Sequence, residues 1–377
     1  YSTRANKDFI FPLDKKFTLA AYVNESVKRE VSFPFRPRNI FYKTQITGDS
    51  LLSFKVSPFP PVTYKSIMDF RGSQLVSNDN EVRFKANEVY NFTETLFIPR
   101  NKHVIIEEGV KISLSNGARF VCYGKVEMLG KKENPVSIHG VGTKGGGLVL
   151  FPNGDSIQMN YVICTNLTDA NTTTWTLTGG VTIYEGQVSL RNCSFKNARS
   201  EDALNLIRCH FDIDSILIDQ TYSDGFDADF CTGKLKNSTF RATGNDCIDF
   251  SGSEIDIESC EIFDSGDKGI SGGEHSILNI EKCSIKRASI AIASKDKSVI
   301  SVENTSLESC DFAFAAYRKK AEFGPAKINI ESSSIKNIQN TYLIDKDSEI
   351  KHLGKTNIGR FMFDIDSMYH EFNKDGL

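Results

Sequence analysis

SDGFDADF (residues 223–230), NDCIDFSG (245–252) and DKGISGGE (267–274) follow one another at a constant interval. The interval extends in both directions. Blocks stepped by 22 open at Gly180, Asp202, Asp224, Asp246, Lys268, Ile290 and Phe312. Their third column reads Thr182, Leu204, Phe226, Ile248, Ile270, Ile292 and Phe314, apolar in all but one row, so it faces a core. A second apolar pair recurs in each block, at Ile255 and Ile257, Leu278 and Ile280, Ile300 and Val302, and Ile328 and Ile330. A third apolar position follows at Phe240, Ile262, Ile285, Leu307 and Ile335.

Three short strands in each period leave no room for a crossover helix. They fit one coil of a right-handed parallel β-helix, an all-β fold in which only stacking of coils buries the core. The repeat predicts a β-helix over residues 89–340, with less regular coils before Gly180. Residues 1–88 show no such phase, and Pro and Phe are dense in SFPFRPRNIF and KVSPFPPVTY. They read as a β-rich N-terminal cap or small accessory domain. Residues 341–377 read as a C-terminal cap over a sheet edge that would otherwise be open.

The bulk composition narrows the functional classes. A net charge of −3 over 377 residues gives no basic footprint for nucleic acid. No apolar run is long enough to span a membrane. The chain begins at Tyr1, which reads as a piece of a longer, secreted or surface-exposed precursor, expected to be monomeric. Nine scattered cysteines without a CxxC pair argue against a zinc knuckle, and the odd count argues against a disulfide framework. They read as small buried residues in ladders, with Cys209 and Cys231 one repeat apart. N-x-[ST] triplets begin at Asn24, Asn91, Asn166, Asn171, Asn192, Asn237 and Asn304.

Equivalent residues on successive coils lie about 4.8 Å apart. The first column therefore stacks Asp202, Asp224, Asp246 and Lys268, and the fourth stacks Asn205, Asp227, Asp249 and Ser271. Asp229 and Lys295 fall in the sixth. The second column is small (Ala203, Gly225, Cys247, Gly269, Ala291). Alternation turns it outward as the floor of a groove. Carboxylates this close raise one another's pKa unless a cation, a shared proton or the lysines compensate. Asp224, Asn245, Asp246 and Asp249 form a candidate calcium shell of oxygen donors. The same Asp and Asn pattern before a strand is also ordinary turn and capping chemistry, which a pure scaffold would show. Arg318 and Lys319, in the YRKK stretch at residues 317–320, are candidate contacts to an anionic polymer. GVGTKGGG holds a GxGxxG spacing, but apolar LVLF follows, so no phosphate-binding helix is expected. His210 and His275 read as surface residues, and Trp175 is the single tryptophan.

At these residues the chain resembles the pectate lyase and polygalacturonase superfamily of right-handed β-helices, over roughly residues 95–335. YSDGFD resembles the motif NTDGID, GNDCID resembles GDDCIA, GDKGIS resembles GHGIS, and IAIASK falls where that family has RIK. Asn245 stands in place of one family Asp, Lys268 of the His and Ala293 of the Arg, while Lys295 matches the RIK lysine. The resemblance implies a protein acting on an acidic, uronate-type polysaccharide by calcium-assisted β-elimination, epimerisation or hydrolysis. Lys268 or Lys295 would be the base of an elimination, and Asp224 and Asp246 the carboxyl pair of a hydrolysis. Asp202, Asn205, Asp227, Asp229, Arg318 and Lys319 would bind substrate. The alternative is a non-catalytic carbohydrate-binding or structural surface module.

Overall fold

In the computed structural model the described residues are 80–362, apart from 101, 153, 170–175 and 321, together with the strands Thr18–Tyr22, Lys28–Ser32, Lys65–Ser66 and Val76–Ser77. The chain divides into two compact units. The first comprises Tyr1–Thr63 and Asn171–Thr176, and in it Thr18–Tyr22 pairs antiparallel with Lys28–Ser32. The second comprises Tyr64–Ala170 and Leu177–Leu377.

The second unit is a parallel β-helix of three long sheets, with 12, 14 and 11 strands, and no helix among the described residues. Each coil gives one strand to each sheet, and each strand pairs with its equivalent on the coils before and after. Asp202–Ile207, Asp224–Asp229, Ile248–Ser251, Lys268–Gly273, Ile290–Lys295 and Phe312–Tyr317 lie side by side in the first sheet. The Ile255/Ile257 pair and its repeats face inward from the second sheet, and Phe240, Ile262, Ile285 and Leu307 from the third; all are buried. Pairing starts before residue 89, since Glu81–Phe84 joins His103–Ile106 and Lys65–Ser66 joins Leu96–Phe97. At the far end Glu349–His352 and Lys355–Ile358 form an antiparallel hairpin that closes the second sheet.

The turns explain how so short a coil closes on itself. Over residues 180–311 each coil bends at three places, and a residue in the left-handed region stands at each. One row is Arg208, Phe230 and Gly252, the next Ser215, Asn237 and Ser259, the third Asn197, Gln220 and Ala242. Such a residue reverses the chain in one step, at a steric cost that a non-glycine side chain must offset elsewhere. The offset is visible one residue on. Cys231, Ser253, Ser276 and Ser298 point inward and accept the backbone N–H of the equivalent residue one coil earlier, at 3.3, 2.9, 3.1 and 3.0 Å. Small polar side chains thus satisfy amides that the turn removes from the sheets. All nine cysteines are free and buried, and Cys209 and Cys231 are neighbours in this ladder.

Two details of the expected alignment change. Gly179, not Gly180, pairs with Asp202, so Val181 faces the core and Thr182 lies beside Asn205. The single polar row in the core column is a one-residue slip in register, caused by a turn one residue longer. The second column also points inward. Ala203, Cys247, Ala291 and Ala313 are buried members of the core, and a Cβ on Gly269 would meet Ile285. Alternation breaks at the strand entrance, where two successive residues turn to the core. The expected groove floor is therefore core packing, and the outward rows are the first, fourth and sixth.

GVGTKGGG is a packing device. A Cβ on Gly140 would stand 2.2 Å from the Asn166 carbonyl oxygen, and one on Gly146 1.4 Å from that of Ala118. Strand Leu148–Leu150 follows it.

Candidate functional site

The outward rows of the first sheet carry a graded surface. On the early coils the sixth row is aromatic: Tyr123 stacks on Phe151 at 4.7 Å, and Tyr184 follows. Over the coils from Asp202 to Lys295 the rows are charged. Ile290 and Ala293, on the strand that carries Lys295, form with Ala315 and Tyr317 a separate buried apolar cluster. The aromatic row escapes a reading of the sequence because the repeat before Gly180 is irregular.

Asp202, Asp224, Asp246 and Lys268 stack as expected, but the bonds they make are those of a ladder. Asp224 Oδ1 accepts the backbone N–H of Asp246 at 2.9 Å and the Asn245 side-chain amide at 2.7 Å. Asp246 Oδ1 accepts the backbone N–H of Lys268 at 3.0 Å and its Nζ at 3.2 Å. Lys268 Nζ also meets the Asp267 carboxylate. Asp224 and Asp246 thus each cap the next coil. Asp246 and Lys268 are 2 and 3% exposed, so this pair is withdrawn from any ligand.

The fourth and sixth rows differ. Asn205 donates its amide to both Asp202 Oδ2 (3.2 Å) and Asp227 Oδ2 (2.7 Å). Asp227 pairs in register with Asp249 on the next coil, and both are half-buried. Lys295, two coils beyond Asp249, places its Nζ 3.1 and 3.2 Å from the two Asp249 oxygens. Asp229 stands two residues beyond Asp227 on the same strand.

Electrostatics splits the carboxyls. Burial, with Asp202, Asp229, Asp249 and Asp224 nearby, pushes Asp227 well above the usual carboxylate range. Burial likewise pushes Asp202 up to about 7, with the Asp224 charge adding to it. Burial also raises Asp224, Asp229 and Asp246, although Lys320 opposes it at Asp229 and Lys268 at Asp246. Burial alone would raise Asp249 as well. There the Lys295 and Lys268 ammonium groups outweigh it and hold the carboxyl below its ordinary value.

The expected calcium shell does not fit this arrangement. Asp224 Oδ1 and Asp246 Oδ1 are held by N–H donors, both Asp249 oxygens by Lys295, and Asn245 uses its amide nitrogen toward Asp224. Among the described residues no three His, Cys, Asp or Glu side chains are grouped to hold a metal ion. Lys268 and Lys295 are tied to carboxylates, and an ammonium in such contact is a poor base.

Of the other expected contacts, Arg318 is half-buried and Lys319 exposed, and Asp296 accepts the backbone N–H groups of Lys319 and Lys320 at 2.7 Å each. The Lys320 ammonium meets Glu274. His210 and His275 are exposed, His210 bonded to Thr232. Trp175 lies outside the described residues.

No family model and no curated protein matches the sequence. Among solved structures, a periplasmic alginate epimerase is similar with a TM-score of 0.47 and 10% identity, over 74% of this chain and 84% of that one. An alginate lyase from Paenibacillus sp. str. FPU-7 is similar with a TM-score of 0.39 and 10% identity, over 70 and 99%. A pectate lyase is similar with a TM-score of 0.31 and 15% identity, over 65 and 70%. No helix among the described residues is long and apolar enough to cross a membrane.

Proposed function

We propose that the protein acts on an acidic polysaccharide by acid–base chemistry at Asp227 and Asp249. The observation that carries this reading is a pair of in-register carboxyls on adjacent coils whose environments push them in opposite directions. Such a split separates an acid from a base at one pH. Asp227, whose carboxyl is held well above the usual carboxylate range, donates to a glycosidic oxygen. Asp249, ionised and held by Lys295, attacks the sugar carbon as the glycosidic oxygen leaves with the Asp227 proton, and water activated by Asp227 then hydrolyses the glycosyl ester. Adjacent parallel strands set the two backbones about 4.8 Å apart, which suits the close carboxyl pair of a retaining hydrolase. The raised pKa values of Asp202 and Asp227 lessen the repulsion that a uronate would meet. An extracellular or surface location belongs to the same proposal, since such polymers lie outside cells.

A non-catalytic binding module is favoured by one observation: the Asp224–Asp246–Lys268 ladder is fully engaged in capping its own coils. The test is incubation with uronate and neutral polysaccharides, following new reducing ends, polymer size and the ultraviolet absorbance of unsaturated ends. Hydrolysis predicts reducing ends without that absorbance, and a loss of about 10²–10⁴-fold in Asp227→Asn and Asp249→Asn. Unchanged polymers would favour the binding module. Unsaturated ends would replace hydrolysis by elimination.

A further inference from the structure

The third turn of each coil leads into the acid rows. Counted two residues past the left-handed position, Arg199, Tyr222, Gly244 and Gly266 stack on successive coils. The backbone bonds confirm the row: Tyr222 N–H reaches Ala198 O, Gly244 N–H reaches Thr221 O, and Gly266 N–H reaches Thr243 O. Two large side chains thus give way to two glycines. Neither glycine can be larger, since a Cβ on Gly244 would lie 2.0 Å from the Tyr222 carbonyl oxygen and one on Gly266 2.1 Å from that of Gly244. Between Arg199 and Tyr222 lies a shallow concavity of about 390 Å³ lined by Asn197, Arg199, Gln220, Tyr222 and Ala242.

Its chemistry is specific. Tyr222 is 77% exposed, unusual for so large an apolar ring. Arg199 is fixed by one Nη1 bond to the Gly142 carbonyl at 3.1 Å, which leaves a fork of donors to present. The neighbouring Asp219 carboxylate is already engaged, bidentately, by Arg241. Asn197 and Gln220 add side-chain amides. Asp202 lies three residues beyond Arg199, and Asp224 two beyond Tyr222.

We infer that this concavity is a binding subsite for one uronate ring of a polysaccharide whose chain continues to the acid rows. The Tyr222 ring covers the C–H face of the sugar, the Arg199 guanidinium pairs with its carboxylate, and the amides meet its hydroxyls. The inference rests on the polysaccharide reading above, but not on its catalytic step.

The test is calorimetric titration of oligogalacturonate, oligomannuronate and a neutral cello-oligosaccharide. The protein carries Asp227→Asn, so that nothing is turned over, alone or with Tyr222→Ala or Arg199→Gln. Both added changes are at surface side chains and leave the fold intact, which thermal melting checks. Tyr222→Ala is expected to raise the Kd for a uronate oligomer about tenfold, and Arg199→Gln to do so while erasing the preference over the neutral sugar. Kd values that both variants leave unchanged overturn the subsite, as does absence of binding to either uronate by the parent. Weakened binding by the variants, where the protein with Asp227 intact turns no polymer over, supports the subsite and sinks only the catalytic step. With Asp227 intact, turnover whose KM is unaltered by Tyr222→Ala does the reverse.

Discussion

Asp249 and Asp227 differ by one coil and by their neighbours. The Lys295 ammonium bonds both Asp249 oxygens, and together with Lys268 it holds that carboxyl below its ordinary value. Activity should therefore rise with pH through the lowered pKa of Asp249 and fall through the raised pKa of Asp227. Lys295→Ala should move the acidic limb of a kcat/KM profile upward and narrow the bell; a profile left unmoved would remove Lys295 from this role. Asp202 makes a second case. Its folded pKa is about 7 and the unfolded value about 4, so the folded state binds the extra proton between them. Stability is full below the unfolded value and is lost as pH rises toward the folded one. Asp202→Asn should raise the Tm at alkaline pH and flatten its fall on the way there from mildly acidic pH, as read by calorimetric scans. The acid columns were legible in the sequence because the repeat aligned them. Which acids were left for a substrate was not, because Asp224 and Asp246 are consumed by backbone amides that no side-chain pattern records.

At the scale of the coil, the turn ladder carries the testable claim. Ser276 accepts the Ser253 N–H at 3.1 Å and donates to Phe250 and Gly273 carbonyls. Ser276→Val supplies an apolar side chain but leaves the amide buried and unpaired, which should cost about 1–3 kcal/mol in denaturant unfolding. Ser276→Cys should cost less than half of that, since cysteine already fills the equivalent place at Cys231. Equal losses would show that volume, not hydrogen bonding, governs the row. Strand positions were readable from periodicity alone. The inward second column was not, because alternation presumes a regular strand and the entrance to the first sheet turns two successive side chains to the core.

In the whole molecule, every coil of the β-helix is held by its neighbours, so protection should follow position along the stack. The strands of residues 202–318 have buried rows on the coils to either side. Ile335, Ile338, Tyr342 and Ile344 near the end are only partly buried. Hydrogen exchange should therefore be slowest in the strands from Asp202–Ile207 to Phe312–Tyr317 and fastest in Ser333–Lys336 and Asn340–Ile344. Uniform exchange along the axis would mean that the stack opens as one unit.

The left-handed turns have a consequence for reading glycosylation signals. Asn166, Asn192, Asn237 and Asn304 all occupy such positions. Each is followed by a buried residue (Leu167, Cys193, Ser238, Thr305) and then by a half-buried hydroxyl residue as the chain leaves the corner. Asparagine tolerates the turn, the core takes the middle residue, and an extended chain favours Thr or Ser. In this fold the acceptor triplet is a spelling of the corner, and its frequency counts coils before it says anything about sugar attached to the chain.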